Sequence, residues 1–207
     1  GWITNVLYVL IVHYISKVNP LVKLRKYEYL IVINLAASFA MLGTFIYGGY
    51  FWASIVASTT ALLASFVFCY FFVVDARKIQ DASKIWFLAG LFFAVISSIG
   101  VFNLAYMMSS KNINQDLYLA SEYYFLHFQY NGFFIFSCIG LLLYSMKEAG
   151  SPISAKKNKL LFWLMFFGCL IGVGLSFLWM KLPAMIFAVI VLGTLGQTAG
   201  AIILYGF

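Results

Sequence analysis

Residues 117–145 read LYLASEYYFLHFQYNGFFIFSCIGLLLYS, a long apolar segment that contains an isolated group of polar side chains. At ~1.5 Å per residue, His127 lies about 15 Å from the start of this segment, near the middle of a ~30 Å hydrocarbon core. Ionisable side chains at that depth are costly in lipid, so they usually face the protein interior and serve a function there. The segment therefore predicts a membrane-spanning helix whose His127 faces other helices.

The spacing around His127 indicates one polar helical face. Residues three and four positions apart are neighbours on a helix, so Tyr123 or Tyr124 should share a face with His127 and Asn131. The simpler interpretation of His127 is a hydrogen bond to a neighbouring helix, and the alternative is a ligand to heme or to a metal ion. A coordinated imidazole needs an acceptor for its other N–H. Asn131, Tyr123 and Tyr124 are the candidates for that acceptor.

The composition indicates a membrane protein. The chain is 64% hydrophobic and 9% charged, with a mean hydropathy of +0.98, whereas soluble domains carry about 25% charged residues. Its apolar runs lack the alternation of barrel strands, so helices are expected. The predicted fold is all-α, a polytopic transmembrane bundle of about seven helices forming one domain over residues 1–207, as part of a larger bundle. The seven predicted segments are 1–16, 28–48, 51–74, 85–108, 117–145, 160–180 and 184–206.

The positive charges predict the orientation. The loops after the first, third and fifth segments hold eleven of the 13 Lys and Arg residues, and the other loops hold only Lys111 and Lys181. Cytoplasmic loops of membrane proteins carry such an excess. The sequence therefore predicts a multi-pass protein of the bacterial inner membrane with its N-terminal end outside and its C-terminal end cytoplasmic. The net charge of +7 is thus explained by the basic cytoplasmic loops of a membrane protein. The expected partner is the lipid bilayer, and nucleic-acid binding is not expected.

Other polar residues lie within the apolar segments. Glu122, Asn103, Gln129 and Gln197 are predicted to be buried. Asn103 and Glu122 have matching depths and could pair across a hairpin, either as an interhelical hydrogen bond or as part of a proton path with His127. His13 lies one turn from the end of the first segment, where an interfacial position is expected. Its depth differs from that of His127 by ~10 Å, so the two are not expected to share one heme.

Several classes of function are excluded. The seventh segment has no lysine within it for a retinal Schiff base, and two histidines are too few for a membrane zinc hydrolase of the seven-helix type. Phosphate-binding loops, GxSxG and HExxH are not found. The three cysteines, Cys69, Cys138 and Cys169, lie within apolar segments and form no CxxC pair, so they are interpreted as packing residues without a disulfide.

Small residues recur at four-residue spacing in the last two segments. Gly168, Gly172 and Ser176 lie in the sixth segment, and Gly196 and Gly200 lie in the seventh. Such ridges allow helices to approach closely in membranes. Close packing of each of these helices against a neighbouring helix is therefore predicted.

The string YFLHFQYNG at 124–132, with LAYMM at 104–108 and KNI at 111–113, resembles a family of uncharacterised bacterial multi-pass proteins. That family is similar to subunit I of heme-copper oxidases and nitric-oxide reductases. Members of that family typically carry the motif HxHxxxxxGW, whose last two residues correspond to Gly1-Trp2 of this chain. Most members have Trp where this chain has Phe133. The likeness implies that the chain is a fragment whose histidine-rich upstream part is absent.

The resemblance implies a heme-binding membrane protein engaged in electron transfer or in nitric-oxide or oxygen handling. His127 would be one heme ligand and its partner would lie upstream of Gly1. The three further histidines of an oxidase copper site are not in this chain, so oxygen reduction does not follow from the likeness. The alternative is a non-enzymatic transporter, or a structural subunit that assembles with other membrane subunits.

Overall fold

The computed structural model describes residues 1–49, 51–179 and 183–206. Helices account for nearly all of this part of the chain. Their bounds are α1 Trp2–Val18, α2 Arg25–Gly48, α3 Trp52–Ala76, α4 Lys84–Ser110, α5 Gln115–His127, a π-helical segment Phe128–Phe134, α6 Ile135–Glu148, α7 Ala155–Gly172, a 3₁₀ turn Val173–Phe177 and α8 Ala184–Tyr205.

The prediction of an all-α membrane bundle with seven helices is confirmed. Because α5, the π segment and α6 run on as one helix, the described residues form seven helices, and six of these are long and apolar enough to cross a membrane. The seventh, α1, is a shorter apolar helix of 17 residues. The turn predicted at Lys181–Pro183 lies partly outside the described residues, as does Tyr50 of the predicted Gly48–Tyr50 turn.

Helix ends follow local sequence signals. The side chain of Asn114 accepts a hydrogen bond from Leu117 N at 3.0 Å, and that of Ser154 accepts one from Lys157 N at 3.4 Å, so both residues cap the helices they precede. Gly49, with φ of +65°, ends α2, and Gly150, with φ of +79°, follows the end of α6. Glycine adopts this left-handed conformation without strain, which explains its use at these two ends.

The chain divides into two compact units, residues 1–84 and 85–207; the single domain predicted from the sequence stays a prediction. The first unit is organised by two carboxylates. Asp75 forms an ion pair with Lys26 at 2.7 Å and accepts a hydrogen bond from the hydroxyl of Tyr27 at 2.7 Å. Asp81 accepts one from the hydroxyl of Tyr14 at 3.1 Å. Since carboxylates away from water are costly unless paired, these contacts hold α1 and α2 to α3 and the segment after it.

The second unit has an aromatic core. Trp86 is fully buried, packs against Phe136 and Phe162 with ring centroids 5.4 and 5.3 Å away, and donates from Nε1 to Oδ1 of Asn158 at 2.8 Å. The sequence placed Asn158 in a loop over 147–159, but α7 begins at Ala155 and Asn158 is buried in its first turn. The buried cluster comprises Trp86, Ala89, Phe93, Phe128, Phe136, Ile139, Leu143, Leu161, Phe162, Met165 and Cys169.

The π segment packs closely against α4. A side chain at Gly132 would place its Cβ 2.6 Å from Cγ of Phe93 and closer still to Cβ of Phe93. The neighbouring ring of Phe128 stacks on Phe93 at 5.7 Å with an interplanar angle of 11°. The absence of a side chain at Gly132 therefore lets the segment lie directly on Phe93.

The orientation of the helices can be tested on the loops. We expect Ser151→Cys, between α6 and α7, to react with a membrane-impermeant maleimide only from the cytoplasmic side. Ile113→Cys, between α4 and α5, should react only from the opposite side, because the basic loops stay in the cytoplasm. Both residues are exposed. The measurement is labelling of intact cells and of inverted vesicles, with the parent protein as control. Labelling of Ser151→Cys in intact cells would contradict the orientation.

Candidate functional site

His127 is the last residue of α5 and is buried, with 8% of its surface exposed. It lies about 7 Å from the middle of the helix that runs from Gln115 to Glu148, at ~1.5 Å per residue. Its ring faces α7, so the side chain is directed into the second unit and away from the outer surface. This is the interior position expected of an imidazole within an apolar span.

Both ring nitrogens of His127 take part in hydrogen bonds. Nε2 lies 2.9 Å from the backbone oxygen of Cys169, and Nδ1 lies 3.2 Å from Nδ2 of Asn131. A carbonyl oxygen can only accept, so in the neutral ring Nε2 carries the proton and donates to Cys169. Nδ1 then accepts from the amide of Asn131. The sequence correctly placed Asn131 on the same face, but as a possible acceptor, whereas here it donates.

The carbonyl partner of His127 lies at a change of helix type. Cys169 belongs to the last turn of α7, which passes into the 3₁₀ turn Val173–Phe177 after Gly172. Carbonyl groups near a helix C-terminus lose regular N–H partners and commonly accept from side chains, histidine among them. The thiol of Cys169 also lies near the ring, with Sγ 3.9 Å from Nε2. His127 thus serves as a side-chain donor to the end of α7.

Gly172 lies between His127 and Gln197. A Cβ on Gly172 would lie 3.6 Å from Cε1 of His127 and 3.6 Å from Oε1 of Gln197. The side chain of Gln197, predicted as buried, is half-buried on α8 and approaches the same place from the other side. His127 and Gln197 therefore bring polar groups to the end of α7, and Asn131 is joined to them through its hydrogen bond with His127.

The tyrosines predicted as partners of the histidine lie elsewhere. The ring of Tyr123 is exposed and packs on Trp179 with centroids 5.1 Å apart. The ring of Tyr124 packs edge-on against Phe128 at 4.8 Å. Since the hydrogen bonds of His127 go to Cys169 and Asn131, neither tyrosine holds the imidazole.

The remaining polar candidates form separate pairs. Asn103 donates to Oγ of Ser121 at 2.6 Å, and Gln129 accepts from Ser97 at 3.2 Å. The prediction that Glu122 is buried is wrong, because its side chain is exposed. Glu122 lies about 14 Å from the middle of its helix, at the edge of a ~30 Å hydrocarbon core, where headgroups and water are within reach. The pairing of Asn103 with Glu122 and the proton path through it are therefore not found.

The geometry around His127 does not fit an axial heme ligand. An iron atom needs a lone pair on a ring nitrogen; Nε2 points its proton at a carbonyl 2.9 Å away, and the lone pair of Nδ1 accepts from Asn131. Heme binding through His127 would require the ring to leave one of these partners. In the part of the chain that the structure describes, no three His, Cys, Asp or Glu side chains come together as a metal site. His13, on α1, is exposed, and its interfacial position stays a prediction.

Cys69, Cys138 and Cys169 are free thiols in this structure. Cys69 and Cys169 are buried packing residues, whereas Cys138 is exposed on the outer face of α6. Only Cys169 lies at the candidate site, and it contributes its backbone oxygen to the hydrogen bond of His127. The role of Cys169 as the hydrogen-bond acceptor of His127 cannot be predicted from its residue type, because every residue carries a backbone carbonyl group.

Comparison of this chain with protein-family models, with curated proteins and with solved structures finds no match.

Proposed function

We propose that this chain is a non-enzymatic membrane protein, a structural subunit of a membrane complex, in which His127 joins two helices. The observation that carries the proposal is that both ring nitrogens are engaged inside the second unit, Nε2 with Cys169 and Nδ1 with Asn131. A ring held in this way has no free nitrogen for a metal or for a proton from a substrate. In a medium without water, such hydrogen bonds fix the orientation of neighbouring helices.

A transporter is the second candidate, and one observation favours it. The π segment Phe128–Phe134 interrupts one helix, and the 3₁₀ turn Val173–Phe177 ends the helix that accepts the hydrogen bond of His127. Interrupted helices at mid-membrane commonly form the binding sites of transporters, and π segments are frequent at functional sites. The polar groups of Asn131 and Gln197 would then contact the transported solute.

Heme binding, implied by the resemblance to oxidase subunit I, is the competing proposal. It requires that His127 leave Cys169 or Asn131 when heme enters, with the second ligand supplied from outside residues 1–207. The structural and the heme proposals predict different spectra and different effects of the same substitution. One set of variants can therefore separate them.

We expect His127→Ala to lower the free energy of unfolding by about 1–2 kcal/mol. Hydrogen bonds between membrane helices average about 0.6 kcal/mol each, and the missing ring leaves a cavity. His127→Gln should recover roughly half of the loss, because an amide N–H can still donate to the carbonyl of Cys169. The measurement is unfolding in detergent micelles, with exposed His13→Ala as the matched control. Insertion into the membrane should be unchanged in all three.

The same proteins, expressed with ample heme, give the spectral test. The structural proposal expects no Soret band in the unmodified protein. A Soret band that is present in the unmodified protein, retained in His13→Ala and lost in His127→Ala would overturn it in favour of heme. Uptake of a solute into vesicles that is abolished by Asn131→Ala, with stability intact, would favour the transporter.

A further inference from the structure

An apolar groove runs along the outer face between α7 and α8. Its volume is about 350 Å³ and every residue that lines it is apolar or glycine. The two helices approach closely at the bottom of the groove: a Cβ on Gly168 would lie 3.0 Å from the carbonyl of Gly193, and a Cβ on Gly193 would lie 2.7 Å from Cβ of Ile171. The side chains on either side of this contact, Phe167 on α7 and Leu192 on α8, are both exposed. The groove is thus open to the lipid phase.

The length of the groove matches one membrane leaflet. On α7 it extends from Leu160 to Ile171, roughly 16 Å at ~1.5 Å per residue, about half of a ~30 Å hydrocarbon core. The groove is therefore long enough for one extended acyl chain of a single leaflet to lie along it.

Two lysines extend the wall of the groove at one end. Lys156 and Lys157 precede Leu160 by four and three residues, which places them one turn away on the same face of α7. Both side chains are exposed, as is that of Lys159, which lies about 100° further round the helix. Trp163, whose ring stacks on Phe167 at 5.3 Å, lines the groove near this basic end. Tryptophan is typical of the interface between headgroups and hydrocarbon.

We propose that this groove binds an anionic phospholipid, with one acyl chain between α7 and α8 and the phosphate group beside Lys156 and Lys157. The apolar lining favours a hydrocarbon chain, and the lysines favour a negative headgroup. Lysines near the membrane surface attract anionic lipids, and basic pockets between membrane helices bind their headgroups. The basic end of the groove lies in the first turn of α7, at the end of the helix that the charge distribution predicts to be cytoplasmic, where anionic lipids are concentrated.

Gly196 offers a way to fill the groove without disturbing the helices. It lines the groove, and a Cβ there would meet only the carbonyl of Leu164 at 3.9 Å. Gly196→Leu should therefore block the acyl chain, and Gly43→Leu on α2, where a Cβ meets nothing within 4 Å, is the matched control. The probes are phosphatidylglycerol and phosphatidylcholine with identical acyl chains, added to protein in detergent micelles. Native mass spectrometry counts the lipids retained.

We expect the unmodified protein and Gly43→Leu to retain one phosphatidylglycerol in preference to phosphatidylcholine, and Gly196→Leu to lose it. The double variant Lys156→Gln/Lys157→Gln should lose affinity for phosphatidylglycerol by roughly fivefold for each lysine removed. Lys23→Gln/Lys159→Gln, with the same change of net charge, should retain the preference. Circular dichroism of each variant checks that its helices form.

Three results would overturn the proposal. Retention of phosphatidylglycerol unchanged by Gly196→Leu would show that the lipid binds elsewhere. Equal retention of both lipids by the unmodified protein would show that the lysines select no headgroup. Disulfide-linked dimers formed by Gly196→Cys in native membranes, in a protein otherwise free of cysteine, would show that a second copy covers the groove.

Discussion

Replacement of Gly132 by alanine is expected to lower the free energy of unfolding by about 3 kcal/mol, the upper end of the usual cost of overpacking. The new methyl group would lie 2.6 Å from Cγ of Phe93 and closer still to its Cβ. A Cβ atom moves only with its backbone, so rotation of the Phe93 side chain cannot relieve the overlap. The π segment and α4 would have to separate, and the stacking of Phe128 on Phe93 would be lost with them.

Unfolding of purified protein in detergent measures this effect. Gly43→Ala is the matched control, because a Cβ at Gly43 meets nothing within 4 Å and alanine favours a helix over glycine by up to ~1 kcal/mol. Gly43→Ala should thus be neutral or stabilising. If Gly132→Ala were as stable as Gly43→Ala, the close contact of the π segment with Phe93 would be refuted.

Replacement of Trp86 by alanine should also cost about 3 kcal/mol. The side chain is fully buried, contacts Phe136 and Phe162, and donates to Asn158. Large-to-small changes of this kind cost about 3–5 kcal/mol in water-soluble cores. The low end applies here because helices in lipid associate through packing, without the transfer of apolar surface from water.

Trp86→Phe separates the ring from the hydrogen bond. It keeps most of the aromatic contact and removes the donor to Asn158, so the expected loss is about 1 kcal/mol. Trp52→Ala, at a tryptophan that is 74% exposed, is the control and should leave the unfolding transition unchanged. A loss in Trp86→Ala no larger than in Trp52→Ala would contradict the packing described for this core.

The helices could be predicted from the sequence because lipid imposes one rule on every span. An apolar run of about 20 residues must satisfy its backbone internally, so runs such as 28–48 and 51–74 match α2 and α3 within a few residues. Lysines such as Lys156 and Lys157 are typical of a loop, so the sequence predicts a start near residue 160, whereas α7 begins at Ala155. Long lysine side chains can reach the interface from the first turn of a membrane helix, which is where α7 holds them.

The site was predictable only in part, for a different reason. The cost of an imidazole in hydrocarbon predicted that His127 would face inward, and helical spacing placed Asn131 beside it. The bond to Cys169 leaves no trace in the sequence, since any residue offers a carbonyl. The helical pattern of the sequence does not predict the π segment Phe128–Phe134, which lies where Gly132 packs on Phe93. Glu122 was misplaced because its helix, at 34 residues, extends beyond the hydrocarbon.

The π segment is the place where this helix can best tolerate a change of one residue in its length. Hydrogen bonds from i to i+5 hold one residue more in a turn than the bonds of an α-helix. Loss of a single residue between Phe128 and Phe134 would thus convert the segment to regular α-helix, with His127 still facing α7 and Phe136 still facing the core. Loss of a residue in α6 would instead turn one side of that helix by about 100° relative to the other. Within the helix Gln115–Glu148, insertion or deletion of one residue therefore disturbs the orientation of the packed side chains least in the π segment beside His127.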